Sequence, residues 1–313
     1  MRPLFRFVPD GTKIRFMKGR FAGLIVSAVL STASIVLFLY PGLNLGLDFR
    51  GGVVLQVQTE APANFPALRT ALAGAGLSGA ALQSFGHDGT GVLISLESKE
   101  NAAATQIAIS EVETALATAA PGAKILSTQA IGASVSQDLF AQGLEALGLS
   151  FVMILAYIWF RFEWQFAVGA VTTLILDTTK TIGFMVVTRI PFDLVTIAAI
   201  LTIIGYSTND KVVVYDRVRE NLRKYKTMPL RDLIDLSINE TLNRTLGTSG
   251  TVFLAALPLA LFGGSALSGF AWIMLFGIVV GTSSSIFIAA PILLFLGERL
   301  LRRGASLPKG KQA

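Results

Sequence analysis

Two acids and two bases interrupt stretches that are otherwise apolar enough to lie in lipid. Asp210 and Lys211 fall inside the otherwise uncharged run 194–215, which is bounded by Asp193 and Asp216, and Asp177 and Lys180 fall near the middle of 166–188. As a helix, 194–215 would measure about 33 Å, close to one bilayer core, with Asp210 roughly 9 Å from the nearer edge. A lysine at that depth reaches the interface along its stem; an aspartate does not. Asp210 must therefore be protonated, paired, or turned to a wet cavity, and an ionisable group so placed is by default a functional one. Asp177 and Lys180 are three apart, so a helix puts them on one face. The bland alternatives are a buried structural ion pair for the acids, snorkelling for Lys211, and an interfacial anchor at a helix end for Arg244. Four charges on two adjacent spans favour function: a carboxylate that trades a proton against a basic partner is what a proton-driven transporter needs.

The elements that must position these groups follow from composition. The chain has 313 residues, 52% hydrophobic and 15% charged, with mean hydropathy +0.63. This is the composition of a polytopic membrane protein. The net charge of +6 could suggest nucleic acid, but the basic residues cluster beside membrane spans and read as topology signals, so no nucleic-acid partner is expected. Cysteine is absent and His87 is the only histidine, which excludes disulfides and leaves no histidine cluster to hold a metal.

Six spans are expected, at 21–40, 137–160, 166–188, 194–215, 241–262 and 270–297, with a kink at Pro291. The second is the weakest, because only 146–160 lies uncharged between Glu145 and Arg161. The first is read as an uncleaved span rather than a signal peptide. Basic segments at 1–20, 216–240 and 298–313 then share one side, placing both termini in the cytosol. Residues 41–136 form one extramembrane domain on the other side. Its pattern of strand, helix, hairpin (81–85 and 92–96), helix and strand is that of an α+β ferredoxin-like fold. A polar turn is expected at 263–269.

Other motifs carry less. Gly74-Ala-Gly-Leu-Ser-Gly79 matches a dinucleotide fingerprint but follows a helix rather than a strand, and no phosphate-binding G-x-x-x-x-G-K-[ST] loop occurs. No ATPase or hydrolase site is therefore expected, and no bound cofactor. In Gly46-Leu-Asp-Phe-Arg-Gly-Gly52 the glycines permit a sharp turn and Asp48 could cap that turn.

Three segments carry a resemblance: Ile203-Ile-Gly-Tyr-Ser-Thr-Asn-Asp-Lys-Val-Val-Val-Tyr-Asp-Arg-Val-Arg-Glu-Asn221, the glycine motif with Gly46, Asp48, Phe49, Gly51 and Gly52, and Ile238-Asn-Glu-Thr-Leu-Asn-Arg-Thr-Leu-Gly-Thr-Ser249. Together they resemble the SecF branch of the SecD/SecF family of bacterial protein-export membrane subunits, over nearly the whole chain. The resemblance implies half of a resistance–nodulation–division-type bundle in the inner membrane. It implies SecD as the homologous other half, the SecYEG channel and possibly YajC and YidC as associates, and unfolded preprotein as cargo. It implies that the proton-motive force drives late export, with Asp210 as the proton-relay acid and Arg244 as its coupling arginine. Lys180 and Lys211 stand where some relatives carry uncharged residues, and Na⁺ remains an alternative coupling ion. Two other classes stay open: a small-molecule or lipid exporter, which would need a second six-span half or an apolar funnel, and a passive scaffold, which would tolerate neutralising every intramembrane charge.

Overall fold

A computed structural model describes residues 9, 12–85, 88–97 and 102–296. His87, the basic residues at 1–8 and the tail 298–313 lie outside them. Among the described residues six helices are long and apolar enough to cross a membrane. The first is α1 (Arg20–Leu39), entered through a 3₁₀ turn, Phe16–Gly19. A short helix α2 (Leu47–Arg50) leads into the inserted domain. There β1 (Gly52–Gln58), α3 (Phe65–Gly74), β2 (Ala81–Phe85), β3 (Gly91–Leu96), α4 (Ala102–Ala119) and β4 (Lys124–Ile131) follow in turn. The bundle resumes with α5 (Ala133–Arg161), α6 (Trp164–Thr188), α7 (Leu194–Lys224), α8 (Leu230–Phe262) and α9 (Gly264–Ser284). A π turn, Ser285–Ala289, and α10 (Ala290–Leu296) complete the last span.

The inserted domain has the expected ferredoxin-like topology. Its strands order as β2-β3-β1-β4 with every pairing antiparallel, which is what two β-α-β halves give when each helix crosses one face. Val53, Leu55 and Val57 of β1 alternate inward and meet Leu68 and Leu72 of α3 and Val112 of α4. The opposite face of β4 and β2 stays largely exposed.

Three sequence expectations need correction. The segment 216–240 is not a loop: α7 runs on to Lys224 and α8 begins at Leu230. Charge does not end a helix; Arg, Glu and Lys are good helix formers, and here the extensions are cross-linked by Arg217 to Glu240 and by Asn221 to Ser237 and Glu240. The turn at 263–269 shrinks to Gly263 and Gly264, because the positive φ of Gly264 reverses the chain in one step. The second span starts at Ala133, so its helix continues unbroken from the end of β4. At Pro291 the irregularity takes the form of the π turn, where Ala290 N–H donates to Ser285 O. Proline lacks the N–H and its ring crowds the carbonyl a turn earlier, and a wider turn absorbs both defects.

The membrane helices bury two apolar layers with the charged residues between them. One layer holds Phe49, Phe192, Ile197, Ile200, Ile203 and Ile204 with the start of α9. The other holds Phe162, Phe166, Tyr215, Val218 and Leu233 with Ala289 and Leu293. Between them α7 presents residues 207–211. Gly277 and Gly281 of α9 face Ile203 and Ser207 directly, so the two backbones approach more closely than side chains would allow.

Candidate functional site

Asp177 is the hub. Its carboxylate is 2% exposed. Oδ1 accepts from Lys180 Nζ at 3.2 Å. Oδ2 accepts from Lys211 Nζ at 3.0 Å, Ser207 Oγ at 3.0 Å and Ser284 Oγ at 2.6 Å. Lys211 Nζ also donates to Ser207 Oγ and, at 3.3 Å, to Ser207 O. Helix geometry explains the convergence: Asp177 and Lys180 share a face of α6, and Ser207 and Lys211, four apart, share a face of α7. Four buried partners keep a charge that lipid would otherwise expel.

Asp210 is different. It is 4% exposed, yet its Oδ2 has no hydrogen-bond partner, and neither has Thr245 Oγ1. The carboxyl faces the hydroxyls of Thr245 on α8 and Ser285 in the π turn, and it feels the charge of the Lys211 ammonium. These groups lie near it without completing a bonded cage. Asp210 is thus neither lipid-facing nor locked, which leaves one oxygen able to accept a proton.

A layer of hydroxyls sits one turn away, toward the start of α7. Tyr206 OH donates to Ser249 Oγ at 2.7 Å, and Ser249 pairs with Thr282 Oγ1 at 2.7 Å. Tyr206, Ser249 and Thr282 are four, four and three residues from Asp210, Thr245 and Ser285, so the two layers stack on the same three helices. On the far side Phe162, Phe166 and Tyr215 pack edge to face, and Tyr215 OH donates to Ala289 O. Arg161 and Asp216, the chain neighbours of Phe162 and Tyr215, line a cleft of about 400 Å³ together with Arg219, Glu220, Arg223 and Lys224.

Arg244 does not join the cluster. Its side chain is exposed on α8, while the next residue, Thr245, faces Asp210. Neighbours on a helix point about 100° apart, so only one of them can face inward. The hydroxyls Ser207, Thr245, Ser284 and Ser285 escaped the sequence reading. The signal was present as the polar run Thr282-Ser-Ser-Ser285 inside an apolar span.

The glycine motif docks on the end of α7. Gly46 N–H donates to Phe192 O at 2.8 Å, and Phe192 N–H to Asn44 O at 2.7 Å. A Cβ on Gly46 would lie 2.9 Å from Asp193 Cβ, so only glycine fits. Asp48 was expected to cap its own turn. Instead its Oδ2 accepts from Leu194 N–H at 3.0 Å, the first amide of α7. Asp193 caps the same helix end, accepting from Thr196 N–H at 2.8 Å in a reciprocal capping box. Burial, with the nearby Asp48 carboxylate adding to it, pushes the Asp193 carboxyl above its usual range. Phe49 wedges between Phe140 and Phe192. Gly51 and Gly52 take positive φ and turn the chain into β1. The inserted domain is therefore fastened to the helix that carries Asp210 and Lys211.

Comparison with known proteins gives this arrangement a context. Residues 111–299 match the family described as "Protein export membrane protein SecD/SecF, C-terminal", and residues 37–63 match the "SecD/SecF GG Motif". A protein translocase subunit SecF from Rhodobacter capsulatus is 40% identical, covering 93% of this chain and 91% of that one. One from Rickettsia akari is 40% identical over 94% and 95%. The crystal structure of SecDF, a translocon-associated membrane protein from Thermus thermophilus, superposes with a TM-score of 0.84 at 30% identity. It covers 95% of this chain, which spans only 40% of that longer one. On these grounds the chain, a multi-pass membrane protein, belongs to the SecD/SecF family of protein-export membrane proteins.

Proposed function

We propose that this chain is a subunit of the Sec protein translocase that works with SecD and uses the proton-motive force to promote late stages of preprotein export. The observation that carries this reading is the unpartnered Asp210 oxygen, buried beside Lys211 on a helix whose far end is pinned to the inserted domain by Asp48. A proton arriving through the Tyr206–Ser249–Thr282 layer neutralises Asp210 and cancels its attraction to Lys211. Helices α7, α8 and α9 then repack, and the movement reaches the inserted domain through the glycine motif. One charge crossing about 150 mV releases roughly 3.5 kcal/mol, enough to bias a two-state rearrangement of a few kcal/mol. Arg244, exposed on α8, is available to SecD rather than to Asp210 within the chain. The positive-inside pattern supports cytosolic termini and an inserted domain on the outer face, where emerging preprotein would meet it. SecYEG, with YajC and YidC, completes the assembly in this reading. The role is transport, with no ATPase of the chain's own.

The test is Asp210→Asn in inverted or reconstituted vesicles. Proton-dependent stimulation of export should vanish while ATP-driven insertion survives; full stimulation in the variant would overturn the relay role. A passive scaffold predicts the opposite outcome, that neutralising the intramembrane charges leaves export unchanged.

A further inference from the structure

We propose that the Lys211 ammonium is a built-in cation that fills an oxygen cage beside Asp210, so that this chain couples to protons and excludes Na⁺. The proposal rests on the function proposed above and deepens it by giving a reason why sodium cannot replace the proton. The oxygens around Lys211 Nζ are a carboxylate (Asp177 Oδ2), a hydroxyl (Ser207 Oγ) and a backbone carbonyl (Ser207 O). A second hydroxyl, Ser284 Oγ, bonds the same carboxylate oxygen. These are the hard oxygen donors that bind alkali and alkaline-earth cations. Here the cation is covalently tethered. Lys211 is 1% exposed and its stem holds the charge in place, so it cannot leave and be replaced during a cycle.

The charges at the site already balance without a further ion. From α6 the cluster receives Asp177 and Lys180, and from α7 Asp210 and Lys211. Among the described residues α8 and the π turn offer it only hydroxyls, Thr245 and Ser285, as Ser284 does from the end of α9. Two carboxylates and two ammoniums sum to zero. A sodium ion and a proton each add one charge, but sodium also requires oxygens that Lys211 already uses. A proton needs no cage: it adds to the free Oδ2 of Asp210. Lysine at 211 thereby selects the smaller ion by occupancy.

Two substitutions separate the cage from the charge. Lys211→Ser empties the cage and leaves a net negative cluster; Lys211→Met leaves the same net charge but fills the space with an apolar chain. The purified protein is melted in mild detergent at pH 7.5 in NaCl, KCl or choline chloride at equal ionic strength. A ligand that binds only the folded state raises the melting temperature, and the rise keeps growing with the logarithm of ligand concentration above the dissociation constant. The wild type should melt identically in all three salts. Lys211→Ser should gain a Na⁺-specific rise of several degrees that grows with Na⁺ concentration, and Lys211→Met should gain none. In vesicles, stimulation of export by the wild type should ignore Na⁺ at a fixed proton gradient. A saturable Na⁺ effect on the wild type overturns the proposal, and this arm decides even if Lys211→Ser does not accumulate. Absence of a Na⁺ effect in folded Lys211→Ser, or an equal effect in Lys211→Met, also overturns it. Because melting requires no transport, these outcomes are independent of whether Asp210→Asn abolishes stimulation.

Discussion

Replacing Asp177 by asparagine should be the most damaging single change in the bundle that leaves shape intact. The asparagine amide is nearly isosteric with the carboxylate, so packing is preserved and the loss is electrostatic. Asp177 accepts two ammoniums and two hydroxyls in a site 2% exposed. Without its charge Lys180 and Lys211 remain buried with only Asp210 to balance them. Removing one partner of a buried pair costs about 3–5 kcal/mol, which is roughly two to four decades in the folding equilibrium. Replacing the whole set by apolar residues of similar volume is often neutral or stabilising. The quadruple variant Asp177→Leu/Lys180→Met/Asp210→Leu/Lys211→Met should therefore recover most of the stability that Asp177→Asn loses, while failing to support proton-stimulated export. Unfolding in detergent, followed by loss of the monodisperse peak on size-exclusion chromatography, measures the stability order. Asp177→Asn within about 1 kcal/mol of wild type, an effect typical of exposed pairs, would refute the hub role. A quadruple variant less stable than the single one would refute the charge argument.

Three further outcomes follow from the site's surroundings. Asp48→Ala removes a side-chain cap from Leu194 N–H. It should cost about 0.5–2 kcal/mol, seen as faster amide exchange at 194–197 and weaker coupling of α7 to the inserted domain; unchanged exchange at Leu194 would count against the clamp. Asp193 has its carboxyl raised by burial, so the folded state holds this proton more tightly than the unfolded one. Its contribution is fully present below the ordinary aspartate range and is lost as pH rises through the raised folded value. Opening of the first turn of α7, corrected for intrinsic exchange, should become easier over that window, and Asp193→Asn, which still caps, should flatten the dependence. Tyr206→Phe deletes the donor to Ser249 and should slow proton-stimulated export with a larger solvent isotope effect, leaving ATP-driven insertion intact; wild-type rates and isotope effect would remove the hydroxyl layer from the route.

How much of this was legible in the chain differs between its levels. Six apolar runs, the strand–helix alternation between 52 and 131, and the four charges within spans follow from local composition and period, because lipid and water sort residues by type wherever they occur. The glycine motif was visible, but its target was not. Asp48 bonds an amide 146 residues away, and no local spacing encodes a partner at that distance. The π turn and its serines were hidden for a related reason: whether Ser284 and Ser285 face acids depends on how closely Gly277 and Gly281 let α9 approach α7.

Sequence alone determined which groups must be kept from lipid: Asp177, Lys180, Asp210 and Lys211 cannot be there unpaired. Only the tertiary structure decided their pairing. It gives both lysines to Asp177, leaves an oxygen of Asp210 free, and turns Arg244 outward while Thr245 points in. The reason is geometric. The cost of burying a charge is a property of the residue, whereas the partner that offsets that cost is set by the rotation and separation of neighbouring helices, fixed by the packing of every other residue along them.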